Sequence, residues 1–260
     1  MNLVKGNKEF WLYIVGIIVL IILLLIGGFY VLSGREIFPS KVENIPTTFD
    51  KPPEYNIDTR YDYFALFKTN KGEFKADLYE VGAPVNVNNF VFLAKLGYYD
   101  YLTFYRLVEN LLIQSGSRAT LNDDPTDDNF GNPGYTVKDE INWDSLDLSS
   151  EKRAQLLQEG YKSDPDVASR KIKKYSLVMA NANAPNTAGS QYFIVIGDDA
   201  DPRLNYLIGR HTVIGEIIEG TDILDQIRNI NAKIDDAEPQ ISRPIEDIIV
   251  ESITIITQSK

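Results

Sequence analysis

From Phe10 to Leu32 the chain reads FWLYIVGIIVLIILLLIGGFYVL, 23 residues without a charge. Roughly 20 such residues cross the hydrocarbon of a bilayer, and a helix apolar on every face does not belong on the surface of a water-soluble domain. Trp11, Tyr13 and Tyr30 stand near its two ends, where amphipathic rings prefer the membrane interface. The run is longer than the ~7–15-residue core of a secretion signal, and the VLSGREI at its end offers only a weak cleavage site. The expectation is an uncleaved, single-pass signal anchor over 10–32, seated in the lipid bilayer and preceded by a short tail at 1–9. Lys5, Lys8 and the α-amine precede it, against Arg35 and Lys41 after it, a slight bias toward a cytoplasmic N-terminus. In a bacterium that topology would put the following domain outside the cytoplasm.

Residues 33–60 hold four of the twelve prolines and show no sustained periodicity, as expected of a linker. Whole-chain net charge is −11, and residues 1–34 carry only Lys5, Lys8 and Glu9, so the remainder carries −12. A domain this acidic is a poor candidate for nucleic acid, whose phosphates need a basic face. It is also repelled by anionic headgroups, which suits a domain held clear of the membrane. The absence of cysteine removes disulfides and thiolate chemistry.

The folded domain is expected over 61–260. YDYFALFKTNKGEFKADLYEV reads as two strands joined at Asn70–Lys71–Gly72. In the second arm Phe74, Ala76 and Leu78 alternate with Lys75, Asp77 and Tyr79, the period-two pattern of a half-buried strand. Val87, Phe90, Val91 and Ala94 fall at helical spacing, predicting a helix over 84–97 that Gly97 ends. LTFYRLVE, LLIQSG and YTVKDEI read as short strands, with the acidic loop LNDDPTDDNFGNPG between the last two. Residues 142–174 interrupt this rhythm as a polar insertion. Within it SSEKRAQLLQEGYK predicts a helix capped by Ser149 or Ser150 and ended by Gly160. YSLVMAN, QYFIVIG, HTVIGEIIEG, a helix over 221–230 and the strand IEDIIVESITIIT follow. Many short strands with two core helices predict an all-β barrel or sandwich, which the pattern alone does not separate.

FYRLVENLLIQSG, GNPGY, MANANAPNTAGSQYFIVIG and LIGRHTVIGEIIEG stand in this order and at this spacing. Together they resemble the signature segments of the cyclophilin family of peptidyl-prolyl cis-trans isomerases. The resemblance runs from about Tyr61 to Thr257, broken by the 142–174 insertion. It implies an eight-stranded antiparallel barrel closed by two helices, with the active surface on the outside of the barrel. It also implies proline-containing peptides or unfolded client proteins as substrates, and no cofactor.

The chemistry such a site needs follows from the amide. Partial double-bond character sets a rotation barrier of ~18–20 kcal/mol, so a catalyst must fit the twisted amide better than either planar form. Twisting localises the lone pair on the prolyl nitrogen, where a fixed cationic donor is selectively stabilising. By the resemblance, Arg106 in F-x-R is that donor, and its rigid, always-charged guanidinium suits the task better than a lysine. Gln114 binds substrate backbone and helps place Arg106, and Asn181 and Ala180 meet the peptide backbone. Phe193, Leu112, Leu207 and His211 line the proline pocket, with Leu111 and Tyr206 beside them. His211, the only histidine, is expected to act as a wall and not as a proton shuttle.

Other readings of these residues are weaker. Ser190 lacks the nucleophile elbow that would pair it with His211 in a hydrolase. Asp123, Asp124, Asp127 and Asp128 lack the spacing of an EF-hand, so no metal site is assigned. The chain departs from the family at Leu111–Leu112, where Phe-Met is usual, at Ser115, where the family has glycine, and at Tyr206, where many members have tryptophan. Two alternatives therefore stand beside the enzyme: a module that binds proline-containing segments without turning them over, and a scaffold whose 142–174 insertion docks a partner.

Overall fold

The computed structural model describes residues 45–122, 124–234 and 242–260. The expected tail, the apolar span over 10–32, linker residues 33–44 and Asp123 lie outside them. Among the described residues, no helix is long and apolar enough to cross a membrane.

The first hairpin forms as its pattern requires. β1 (Tyr61–Thr69) and β2 (Gly72–Leu78) pair antiparallel, with Thr69 opposite Gly72. Tyr63, Ala65 and Phe67 and then Phe74, Ala76 and Leu78 are buried in alternation, so one face of the pleat meets the core and the other meets water. Seven further strands complete one antiparallel sheet: β3 (Leu102–Thr103), β4 (Arg106–Val108), β5 (Leu112–Ser115), β6 (Ser176–Met179), β7 (Tyr192–Val195), β8 (Val213–Glu219) and β11 (Ile249–Ser259). The order across the sheet is β3-β11-β1-β2-β8-β6-β7-β5-β4. Its two outermost strands, β3 and β4, are separated in the chain only by Phe104 and Tyr105. Consecutive Cα atoms are ~3.8 Å apart, so the chain holds the two edges together and the sheet must curl into a barrel-like form. A small separate hairpin, β9 (Ala232–Ile234) with β10 (Ser242–Pro244), lies outside this sheet.

Two helices seal the interior. α1 (Pro84–Lys95) contributes Val87, Phe90, Leu93 and Ala94, and α4 (Thr221–Arg228) contributes Leu224 and Ile227, to one continuous core. Its centre is aromatic: Phe67 stacks on Phe74 with ring centroids 4.7 Å apart, and Tyr192 meets Phe90 edge-on at 5.7 Å. Such pairs add ~0.5–1.5 kcal/mol beyond their buried area.

Three expectations shift. YTVKDEI is not a strand of the sheet; Val137 makes only an isolated bridge to Ala188. The reason lies in Glu140, which is buried and accepts from the backbone N–H groups of Val85 and Asn86 at 2.9 and 2.8 Å. The first turn of α1, which has no side-chain cap of its own, is satisfied from 54 residues away, and its dipole favours the negative charge. Residues 45–60, expected as the end of a linker, pack on the domain. Phe49 donates its N–H to the Pro133 carbonyl at 2.8 Å and meets Phe92 edge-on, and Asn88 holds the Asn56 N–H at 2.8 Å. The chain ahead of Tyr61 is thus part of the packed body and not a free linker over 45–60. The insertion is more than polar surface. Its helix α2 (Ser150–Gln158) is capped by the Ser149 side chain as expected, and it closes a second small core of Ile141, Trp143, Leu146, Leu156 and Tyr161.

Candidate active site

Strands β4, β5 and β7 lie side by side, and their register sets the site. Arg106 is opposite Gln114, and Gln114 is opposite Phe193. Opposed residues of antiparallel strands share a face, so these three side chains form one row on the outside of the sheet. Two residues along each strand, Val108, Leu112 and Val195 extend the same face. The residues between them, Leu107, Ile113 and Ile194, belong to the barrel core, whereas Leu112, Val178, Ala180, Phe193 and Val195 form a separate outer cluster.

Around this row opens a cavity of about 500 Å³. Its walls bring together all ten side chains singled out in the sequence: Arg106, Gln114, Asn181, Leu111, Leu112, Ala180, Phe193, Tyr206, Leu207 and His211. Tyr206 and Leu207 reach it from the short helix α3 (Leu204–Leu207), and His211 from just before β8. Val108, Asn129, Asn183 and Arg203 complete the lining. A second concavity adjoins it through Gln114, Asn129, Ala180, Asn181 and Asn183, with exposed Phe130 at its rim.

Arg106 is held and not spent. Its Nη1 donates to Gln114 Oε1 at 3.0 Å, and among the described residues no carboxylate pairs with it. Burial pulls the guanidinium below its ordinary value while Tyr105 acts in the opposite sense; it stays charged at any working pH. Gln114 is fixed in turn. Its Nε2 donates to the Tyr105 hydroxyl at 2.6 Å and to Gln191 Oε1 at 2.9 Å, and Gln191 Nε2 donates to the Asn129 and Gly131 carbonyls. A hydrogen-bonded relay therefore runs from the 129–131 loop to the guanidinium. Tyr105, Gln191 and Asn129 escape a reading of the sequence. Gln191 alone carries a usable signal, since it is two residues before Phe193 on the same alternation.

His211 is an apolar wall. It is 9% exposed, stands edge-on to Phe193 with centroids 5.4 Å apart, and shares Nδ1 with the Met179 carbonyl at 3.1 Å. Burial pushes its pKa down to about 4, outweighing the Met179 bond, so the ring is neutral near pH 7 and Nδ1 carries the proton. Ser190 is fully buried and donates to the Gly116 carbonyl at 2.6 Å, a structural tie.

The asparagine-rich segment before β7 explains itself locally. Asn183 and Asn186 take φ of +54° and +60°, a left-handed conformation that asparagine tolerates better than most residues. Asn181 donates Nδ2 to the Arg210 carbonyl at 2.8 Å and accepts from the Asn183 N–H. Asn186 and Asp139 exchange two hydrogen bonds at 2.8 and 2.9 Å. Burial lifts the Asp139 carboxyl to about 6, against the opposing Asn186 bond. Much of the amide chemistry is thus used to shape the edge of the cavity.

Comparison with known proteins agrees with this geometry. The family model described as cyclophilin type peptidyl-prolyl cis-trans isomerase/CLD matches residues 64–255. A peptidyl-prolyl cis-trans isomerase-like 2 protein of Cryptococcus neoformans is 33% identical over 195 residues, which cover 74% of this chain but only 27% of that protein. A putative peptidyl-prolyl cis-trans isomerase of Staphylococcus haemolyticus is 29% identical, with 72% of this chain and 88% of that one aligned. The crystal structure of a Cryptosporidium parvum cyclophilin-type isomerase superposes with a TM-score of 0.54 at 25% identity, covering 76% of this chain and 99% of its own. A second structure of that protein, determined in the presence of the dipeptide Ala-Pro, superposes with a TM-score of 0.53. With a family match over most of its length and the outward Arg106–Gln114–Phe193 row in place, the chain belongs to the cyclophilin-type peptidyl-prolyl cis-trans isomerase family.

Proposed function

We propose that this chain is a peptidyl-prolyl cis-trans isomerase that accelerates rotation about Xaa-Pro bonds in client polypeptides. One observation carries the reading: a half-buried guanidinium, unpaired with any described carboxylate and aimed by Gln114, borders an apolar cavity floored by Phe193. Leu112, Phe193, Leu207 and neutral His211 take the proline ring. Ala180 and Asn181, at the edge, meet the flanking backbone. As the amide twists, its carbonyl conjugation is lost and the prolyl nitrogen becomes a hydrogen-bond acceptor. Arg106 donates there, an interaction absent from both planar ground states. No proton changes owner and no bond to the enzyme forms, which is why a histidine held neutral is no handicap.

The fuller picture is an eight-stranded barrel, counting β3 and β4 as one bent strand, tethered by the 10–32 span. That tether puts folding assistance beside a membrane, outside the cytoplasm if the source is bacterial. Single cysteines introduced over residues 34–44 of this cysteine-free chain test the placement. Labelling of intact cells by an impermeant maleimide is expected; labelling only after lysis rules out an external domain.

The activity is tested by magnetisation-exchange NMR on a short Ala-Pro peptide with the full chain. Catalysed exchange at substoichiometric protein is expected. A protein that binds the peptide without speeding exchange is instead the recognition module that Leu111 and Leu112 keep open.

A further inference from the structure

The wall formed by α3 and the residues after it is not supported by the barrel alone. Arg210, one residue before His211, is 3% exposed. Its Nε and Nη2 donate to the two carboxylate oxygens of Glu159 at 2.7 and 2.6 Å, and its Nη1 donates to the Tyr206 carbonyl at 2.5 Å. The guanidinium also lies over the Tyr206 ring, 4.4 Å from its centroid. Glu159 is the residue that ends α2 of the insertion. From the same helix, Lys152 Nζ donates to the Asn205 carbonyl at 2.9 Å.

Packing repeats the message. Leu156 of α2 is fully buried, in the insertion's own core, and Ile208 packs against that core. Gly209 has φ +85°, and a Cβ there would stand 2.6 Å from Leu156 Cδ1. Another residue here would sit at a strained φ and have to displace Leu156, so glycine suits the approach of this chain to α2. The carbonyl of Arg210 also accepts from Asn181, so this residue joins the wall to the opposite edge of the cavity. Trp143, Leu146 and Tyr161 are at most 5% exposed. The apolar side chains of the insertion are turned toward this wall, and few remain outside for a partner.

We infer that the 142–174 insertion is a buttress of the proline pocket, in which Glu159, through Arg210, is the positioning residue for Tyr206, Leu207 and His211. The inference rests on the cavity being the proline site. A bidentate carboxylate–guanidinium pair fixes angle as well as distance, and a buried arginine left without its carboxylate has reason to move. Loss of Glu159 should therefore loosen the walls that hold the ring while leaving Arg106 and Gln114 in place. Binding should suffer and the rotation step should not.

The test uses the full chain with a labelled Ala-Pro peptide, reading Kd by NMR titration and the bound-state exchange rate by line shape. Glu159→Ala is expected to bind about tenfold more weakly, with the bound exchange rate within roughly twofold of wild type. Glu159→Gln, which keeps one acceptor oxygen, should fall between them in affinity. If the alanine variant folds too poorly to titrate, the glutamine variant carries the comparison. Unchanged affinity in a variant that is merely less stable overturns the inference, as does a loss confined to the exchange rate. A wild type that binds but does not catalyse defeats the isomerase reading alone, because Kd still reports the wall.

Discussion

Arg106 and Leu107 are neighbours on one three-residue strand, yet they belong to different regions of the molecule. Leu107 points into the barrel and is fully buried in the core with Ile113 and Ile194. Arg106 points out, beside Gln114 and Phe193, into the cavity. The pleat that separates them by a single residue lets each face answer to its own physics. The inner face is selected for close packing, where a lost methylene leaves a void. The outer face tolerates a half-buried cation and a chain of amides because each is hydrogen-bonded, the condition under which polar groups withdrawn from water are affordable. A β-sheet closed on itself is a natural mount for such a site, since the core fixes positions that the outer face then uses.

The division can be broken by substitution on either face. The largest effect is expected inside: Leu107→Ala should cost ~2–5 kcal/mol of stability, measured by denaturant unfolding. Its activity per folded molecule should stay within about threefold of wild type. A large loss of specific activity would show that the faces are coupled.

Next in size is a pH effect on stability. The His211 pKa falls from its ordinary value to about 4 on folding, so the unfolded chain takes up a proton that the folded chain refuses. Stability is then lost as pH falls from ~6.5 toward 4, by up to about 3 kcal/mol. Asp139, raised to about 6, acts with the opposite sign in an overlapping window, since the folded state holds its proton more tightly. Comparing wild type with His211→Phe at pH 7 and pH 4 isolates the imidazole, and the variant should lack this falling arm. Over pH 6–8 the activity should show no ionisation that His211→Phe abolishes.

On the outer face, Gln114→Ala frees Arg106 from its only described acceptor and should lower kcat/KM by ~10–100-fold, read by exchange NMR. Stability should change less than with Leu107→Ala. The smallest effect belongs to Tyr206→Ala, since that ring is 55% exposed; stability should stay within ~0.5 kcal/mol, with only a few-fold change in peptide affinity.

The parts legible in the sequence were those with local causes. Alternation over 73–78, the glycine-bearing turn at 70–72 and the Ser149 cap each depend on neighbours in the chain, and each is where the pattern put it, though Tyr79, expected on the polar side, is buried. The outward row was also readable, because motif order named Arg106, Gln114 and Phe193 and alternation puts each on the face opposite its neighbours. What stayed hidden depends on contacts between distant residues. Glu140 caps α1 from 54 residues away, and Glu159 meets Arg210 across 51. Neither has a periodicity to betray it, and a glutamate that ends a polar helix looks like any solvated one. YTVKDEI misled for the same reason: its alternation is real, but Glu140 and Asp139 commit the segment to α1 and to the 186 turn.

In the proposed mechanism Arg106, placed by the outer face, stabilises the twisted prolyl amide. Exchange NMR on the Ala-Pro peptide, comparing wild type with Arg106→Ala at matched folded concentration, tests it most directly. A drop of ~10²–10³ in catalysed exchange is expected, with peptide binding and the unfolding midpoint little changed. A variant that still isomerises at the wild-type rate would contradict it.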